Sequence, residues 1–318
     1  MKWVIQIIIL LIPLFLSTAC SAPQDSKNEN PNITIVKGKV QFPPGNTIDL
    51  YAYPEPLQKY LGKKTIVASS SVGKKGQFSF SVRFHQPTAF DLKIENTILV
   101  SNLFLCPGDE IVLDFSDSVF NPHIISNSKG GRDNGFLLQF NEIFFKEPKA
   151  KRQYYINSNF LHVDEYAEYL QTRRKDEIKL YNDFFSKTPA RREFATYALS
   201  EINYQYATDK LMYLWKKGIK NKPVNPDMEY NDFSSKNFIE NPEAVNSPSY
   251  VRFLNLYFLY LCEKKLRDKN IAGKDISEID YAFEKIKFAK EIFSGLSLKI
   301  IQLNILNEPV NGVSGPNG

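Results

Sequence analysis

Reactive side chains are scarce in this chain. Among 318 residues there are three cysteines, three histidines, three methionines and two tryptophans. Cys20, Cys106 and Cys262 stand far apart, so there is no Cys-x-x-Cys. That excludes dithiol chemistry in which one thiolate attacks and a near neighbour resolves the mixed disulfide. His85, His123 and His162 are scattered, none with a partner at metal-ligand spacing, and no metal is expected. There is no Gly-x-Ser-x-Gly elbow and no Gly-rich phosphate loop closed by Lys and Ser or Thr, so no cofactor is expected. These absences leave open a catalytic triad assembled from distant residues. No uninterrupted apolar run reaches the ~20 residues that cross a bilayer.

What is present begins at the first residue. Lys2 precedes a nearly unbroken apolar run from Trp3 to Leu16, interrupted only by Gln6 and Pro13; Ser17, Thr18 and Ala19 follow, then Cys20. A basic start, a short apolar run and small residues make a secretory signal. A Cys directly after them resembles a bacterial lipoprotein signal, which implies that Cys20 is acylated and becomes the mature N-terminus. Ser17 stands where that motif carries Leu, with Leu16 one residue further back. Each buried acyl CH₂ contributes ~0.8 kcal/mol, so more than one chain makes the anchor persistent. Residues 1–20 are thus read as leader plus lipidation site. Residues 21–32, polar with Asp25, Glu29 and two prolines, are read as a flexible tether. The expected location is the bacterial cell envelope, with the membrane as partner through the acylated end.

The rest has the composition of a folded protein, 43% hydrophobic and 24% charged, with 24 Phe and 17 Tyr. A net charge of +5 is only mildly basic. In an exported chain it reads as a Lys-rich solvated surface, and nucleic acid is not an expected partner.

From Ile33 the pattern is that of strands. Val36, Gly38, Val40 and Phe42 share one period-2 face; Ile48–Tyr53, Thr65–Ser71, Gln77–Phe84, Phe90–Ile94, Ile98–Leu105 and Ile111–Phe115 follow. Phe78, Phe80, Val82 and Phe84 alternate strictly with polar residues, which predicts one buried face and one wet face. Ile98–Leu105 is more continuously apolar. Pro43-Pro44-Gly45-Asn46, Gly73-Lys74-Lys75-Gly76 and Pro107-Gly108 supply turns. Short strands at close spacing predict an antiparallel sandwich over 33–130. Asp109, Glu110 and Asp114 around the last turn read as solvated acids, too few in oxygen ligands for Ca²⁺.

After Gly130-Gly131 the period becomes helical, which predicts an all-α region over 131–306. The fold class is therefore α+β. Phe136, Leu137, Phe140, Ile143 and Phe144 form one stripe. Lys149–Phe160 reads as a loop whose Tyr154 and Tyr155 beside basic residues raise a glycan-binding alternative. Val163–Phe185 predicts a long amphipathic helix, with Arg173–Glu177 as a solvated charge run. Thr188-Pro189 reads as a helix start, and the aromatic stripe from Phe194 to Trp215 as core. Ser247-Pro248 opens a helix apolar almost all round, expected at the bundle centre or at an interface. Ser277 reads as another cap, and 307–318, rich in Gly and Pro, as a frayed tail. Cys106 ends a strand and Cys262 lies in an apolar helix. Outside the cytoplasm they could pair, but two buried thiols are expected.

The order of parts resembles one family. An acylated Cys, a sandwich with Gly76-Gln-Phe-Ser-Phe80, Leu105-Cys-Pro-Gly-Asp109, Gly130-Gly-Arg-Asp-Asn134 leading to Phe136-Leu-Leu-Gln-Phe140, and Ser247-Pro-Ser-Tyr250-Val-Arg-Phe-Leu254 are similar to the membrane-anchored thiol–disulfide oxidoreductases of the TlpA/ResA type. The resemblance spans about residues 33 to 306. It implies an accessory sandwich and helices that, in the larger lipoprotein members, precede a thioredoxin-like domain with Cys-x-x-Cys. No residue here matches that motif, so no catalytic residue is carried over, and the expectation is a non-catalytic accessory or binding module with a protein or glycan partner. The alternatives are a fragment of a complete oxidoreductase and a glycan- or nutrient-binding lipoprotein.

Overall fold

The computed structural model describes residues 33–53, 64–95, 97–116, 122–146, 154–218, 233, 235–268 and 278–307. The leader, Cys20, the tether, Ser277 and the expected tail beyond Asn307 lie outside them.

Among the described residues eight strands come first: β1 (Ile33–Lys39), β2 (Thr47–Ala52), β3 (Thr65–Ser71), β4 (Gln77–Arg83), β5 (Thr88–Ile94), β6 (Thr97–Leu105), β7 (Glu110–Asp114) and β8 (His123–Ile124). They form two four-stranded sheets, in the orders β4-β1-β7-β8 and β3-β2-β5-β6. The chain is α+β, a sandwich followed by helices. Pairing is antiparallel throughout, except that β1 and β7 run parallel from Ile35 beside Glu110 to Lys39 beside Asp114. In β4 Phe78, Phe80 and Val82 are buried and the residues between them exposed, as strict alternation requires. Both sheets feed one core, with Val36, Ile48, Leu50, Leu92, Ile111 and Leu113 at its centre.

The continuous apolar run in β6 has a tertiary cause. Leu103 and Leu105 point into the sandwich, while Phe104 points out into a second core made with helices. A strand covered on both faces loses its alternation.

The helices are α1 (Lys129–Phe144), α2 (Tyr154–Phe160), α3 (Val163–Phe184), α4 (Arg192–Gly218), α5 (Lys236–Ile239), α6 (Pro248–Asp268), α7 (Glu278–Ile292) and α8 (Gly295–Asn307). Two expectations need correction. The stretch expected as a loop up to Phe160 ends in α2, and α4 starts at Arg192 rather than at Thr188-Pro189. Arg132 Nη2 donates to the Pro189 carbonyl (2.6 Å), and the Arg191 side chain is held on two acids, so the expected first turn is kept out of the helix. The apolar helix α6 is central: Phe253 and Leu254 are fully buried among Tyr204, Ala289 and Ile300. Between α7 and α8 the chain turns at Gly295 with φ +53°, a conformation that costs glycine nothing. The sandwich and the helices belong to one unit, joined through the core around Phe104, Phe136, Phe194 and Tyr197. No helix among the described residues is long and apolar enough to cross a membrane.

Candidate functional site

A cluster of buried and half-buried polar side chains lies where the sandwich meets the helices. It starts at the Pro107-Gly108 turn, where Gly108 takes φ +84°. Across that turn the Cys106 N–H donates to Asp109 Oδ2 (2.8 Å). Thr34 bolts the turn to β1: its hydroxyl donates to the Cys106 carbonyl (3.1 Å) and accepts from the Gly108 N–H (3.1 Å). The Ile35 N–H donates to the Asp109 carbonyl (2.8 Å).

Helix α1 is built to approach this turn. Ser128 caps it by accepting from the Gly131 N–H (3.0 Å) and donates to the Glu110 carbonyl (2.7 Å). Gly130 and Gly131 permit the contact. A Cβ at Gly130 would stand 2.7 Å from Asp109 Oδ2, and one at Gly131 only 2.2 Å from the Ser126 carbonyl oxygen. One turn later Asn134 meets the free edge of β6. Its Oδ1 accepts from the Phe104 N–H (2.7 Å), and its Nδ2 donates to the Phe104 carbonyl (2.6 Å) and to the Gly130 carbonyl (2.8 Å). The amide imitates a neighbouring strand and closes an otherwise open edge.

Arg191, just before α4, completes the cluster. Its Nη1 donates to Asp109 Oδ1 (2.7 Å) and its Nε to Asp133 Oδ2 (2.6 Å). One guanidinium thus clasps a carboxylate from the sandwich and one from α1, using the fork that only Arg offers. Burial pushes the Asp133 carboxyl up from its ordinary range, against the pull of Arg191 and Arg132. Burial alone would depress the Arg191 guanidinium, but its bond to Asp109 and the two carboxylate charges more than offset this and raise it. Asp109 was expected among solvated acids. Its side chain is only 10% exposed and held by Arg191, whereas that of Glu110 is 53% exposed. The tertiary contact, invisible in the turn sequence, makes the difference.

Cys106 borders the cluster with a free, buried thiol. Burial pushes its pKa up to about 12, Arg191 opposing and Asp109, Glu193 and Asp133 adding to the rise. Burial thus holds Cys106 in its neutral thiol form. Cys262 is buried in the separate core around α6.

A second buried ionic cluster joins α3 to α4. Arg173 Nη1 lies 2.7 Å from Asp209 Oδ2 and its Nε 3.3 Å from Glu177 Oε1. Arg173 and Glu177 were expected on a solvated face; both are buried. They continue the stripe of Tyr166 and Leu170 at helical spacing, and α4 covers that stripe. Burial would lower the Arg173 pKa, but Asp209 and Glu177 outweigh it. A third polar group caps α6: Glu201 Oε1 accepts from the Ser247 hydroxyl (2.5 Å) and the Ser249 N–H (3.0 Å), and its Oε2 from the Ser249 hydroxyl (2.9 Å). The aromatic stripe of α4 is core, as expected, with Phe194, Tyr197, Tyr204 and Tyr213 buried. The side chains of Tyr154 and Tyr155 lie outside what the structure describes. Among the described residues no cluster of His, Cys, Asp and Glu could hold a metal ion.

No family model, curated protein or solved structure matches this chain.

Sequence reasoning had picked out the Pro-Gly-Asp turn and the Gly-Gly-Arg-Asp-Asn helix start as separate motifs. The structure brings them together through Asp109, Gly130, Asp133 and Asn134. It missed Arg191, Asp209 and Glu201 as site residues. The one available signal was the doubled glycine of α1, which announced a close approach without naming the partner.

Proposed function

We propose that this chain is a lipid-anchored module of the bacterial cell envelope that binds or scaffolds and does no thiol chemistry, akin to the accessory part of TlpA/ResA-type lipoproteins. The observation that carries the reading is the state of Cys106. It ends a strand against the Asp109–Arg191–Asp133 cluster, buried, with its thiol pushed to about 12. The ion pairs and hydrogen bonds of the cluster among the described residues run between its own side chains and to the Cys106 N–H. Two of the motifs quoted for the resemblance, the Pro-Gly-Asp turn and the start of α1, pack together at this junction. The leader pattern ending at Cys20 supports the anchor.

Two measurements test this. Metabolic labelling with palmitate should mark the chain in bacteria and be lost in Cys20→Ser, with the labelled protein in the membrane fraction; an unlabelled cytosolic chain overturns the anchor. In an insulin-reduction assay the chain should give no turnover. Robust turnover abolished by Cys106→Ser or Cys262→Ser overturns the non-catalytic reading.

A further inference from the structure

The clasp at the junction is only partly satisfied. Asp133 is fully buried, yet its Oδ1, the Arg191 Nη2 and the Arg132 Nε meet no hydrogen-bond partner among the described residues. Buried polar atoms that no protein group satisfies leave a network weaker than its bonds suggest.

The apolar seal across the same boundary is thin on one side. Among the described residues of the shared core, only Ala89, Phe104 and Cys106 come from the sandwich; the remainder comes from α1, α3, α4 and the α3–α4 connection. Each side also has a large core of its own that does not involve the junction. Parting the two would break the Asn134–Phe104 hydrogen bonds and the contacts of Phe104 with Phe194 and Tyr197, but would rehydrate the three unmet atoms and Asp109 while leaving those cores intact. Regions with few apolar contacts and unmet polar groups open at lower free energy than the whole molecule unfolds.

We infer that the Asp109–Arg191–Asp133 clasp is a latch that opens as a unit. Arg191 releases Asp109 of the sandwich while keeping Asp133 of α1, the Pro107-Gly108 turn lifts from the start of α1, and Cys106 is uncovered while both cores stay folded. The latch is independent of whether the chain carries lipid. Its consequence is an envelope module that can present its sandwich and its helices to a partner in two relative dispositions.

The two thiols supply the test. The full chain is pulsed with a thiol reagent at pH 8 in increasing low concentrations of urea, and label at Cys106 and at Cys262 is quantified separately by peptide mass. Each rate is normalised to that thiol's rate in the fully unfolded chain. Cys106 should label at least about tenfold faster than Cys262 and with little dependence on urea, since its opening exposes little surface. Arg191→Gln should raise the Cys106 rate about tenfold again and leave Cys262 unchanged, and Arg191→Lys, which keeps the charge but loses the fork, should fall between. Equal normalised rates with equal urea dependence in the wild type overturn the latch. That comparison stands even if Arg191→Gln fails to fold.

Discussion

Asn134 does the work of a backbone with a side chain. Its amide pairs both polar groups of Phe104, where β6 has no neighbouring strand. Asn134→Ala strands a buried N–H and a buried carbonyl, and at about 1–3 kcal/mol for each unmet group should cost about 2–5 kcal/mol, read by urea denaturation. Arg173 is the converse case, a charge whose loss strands others. Arg173→Met removes the cation that Glu177 and Asp209 both face and should cost about 3–5 kcal/mol by the same measurement. Replacing all three with apolar residues of similar volume should recover most of that loss.

Asp133 carries a pH signature. Its folded pKa is raised above the ordinary value, so between the unfolded and the folded pKa the native state binds more protons than the unfolded chain. Stability from this group is therefore fully present below the unfolded value and falls as pH rises through the folded one. Asp133→Asn removes the slope. The wild-type-minus-variant stability difference should decline as pH is raised from about 4, and a difference that grows over that range contradicts the assignment.

At the scale of the element, the two glycines opening α1 differ from the one further along it. A Cβ at Gly130 meets the Asp109 carboxylate, whereas one at Gly135 meets only Phe184 at an ordinary 3.8 Å. Gly130→Ala should destabilise by about 1–3 kcal/mol through that clash. Gly135→Ala should be neutral or stabilising by up to about 1 kcal/mol through helix propensity. Thermal melts of the two variants give opposite signs if the approach of α1 to the turn is as close as it stands here.

Elements were legible wherever one face was wet. The alternation of β4 and the stripes of α1 and α3 could be read directly, because water on one side and core on the other writes a period into the sequence. Legibility failed where a second layer covered the wet side. β6 lost its alternation under the helices, and Arg173 and Glu177 looked solvated because charged residues give no sign of being buried against charges from elsewhere. The start of α4 was misplaced by a few residues because long-range bonds to Arg191 and Pro189 outcompete a local helix start.

At the scale of the whole molecule, Phe104 is the largest apolar side chain that the sandwich contributes to the shared core. Its ring stacks on Tyr197, with centroids 4.6 Å apart, and meets Phe194 edge-on. Phe104→Ala should cost about 3–5 kcal/mol. In a chain carrying Trp3→Phe the loss should register in the fluorescence of Trp215, which lies in α4, because in global unfolding, unlike the opening of the latch, the sandwich and helices go together. An unchanged Trp215 midpoint in urea, with a lowered midpoint in the sandwich, would show that they do not.

The sequence by itself determined the class of the molecule: strands, then helices, because binary patterning and turn residues act locally and are written in the order of the chain. It also carried the two motifs that meet at the junction. Only the tertiary structure decided what those motifs are for. A carboxylate is solvated or clasped according to which cation reaches it, and Arg191 lies eighty-two residues from Asp109. No local pattern encodes a partner at that separation, whereas folding brings it within hydrogen-bond distance.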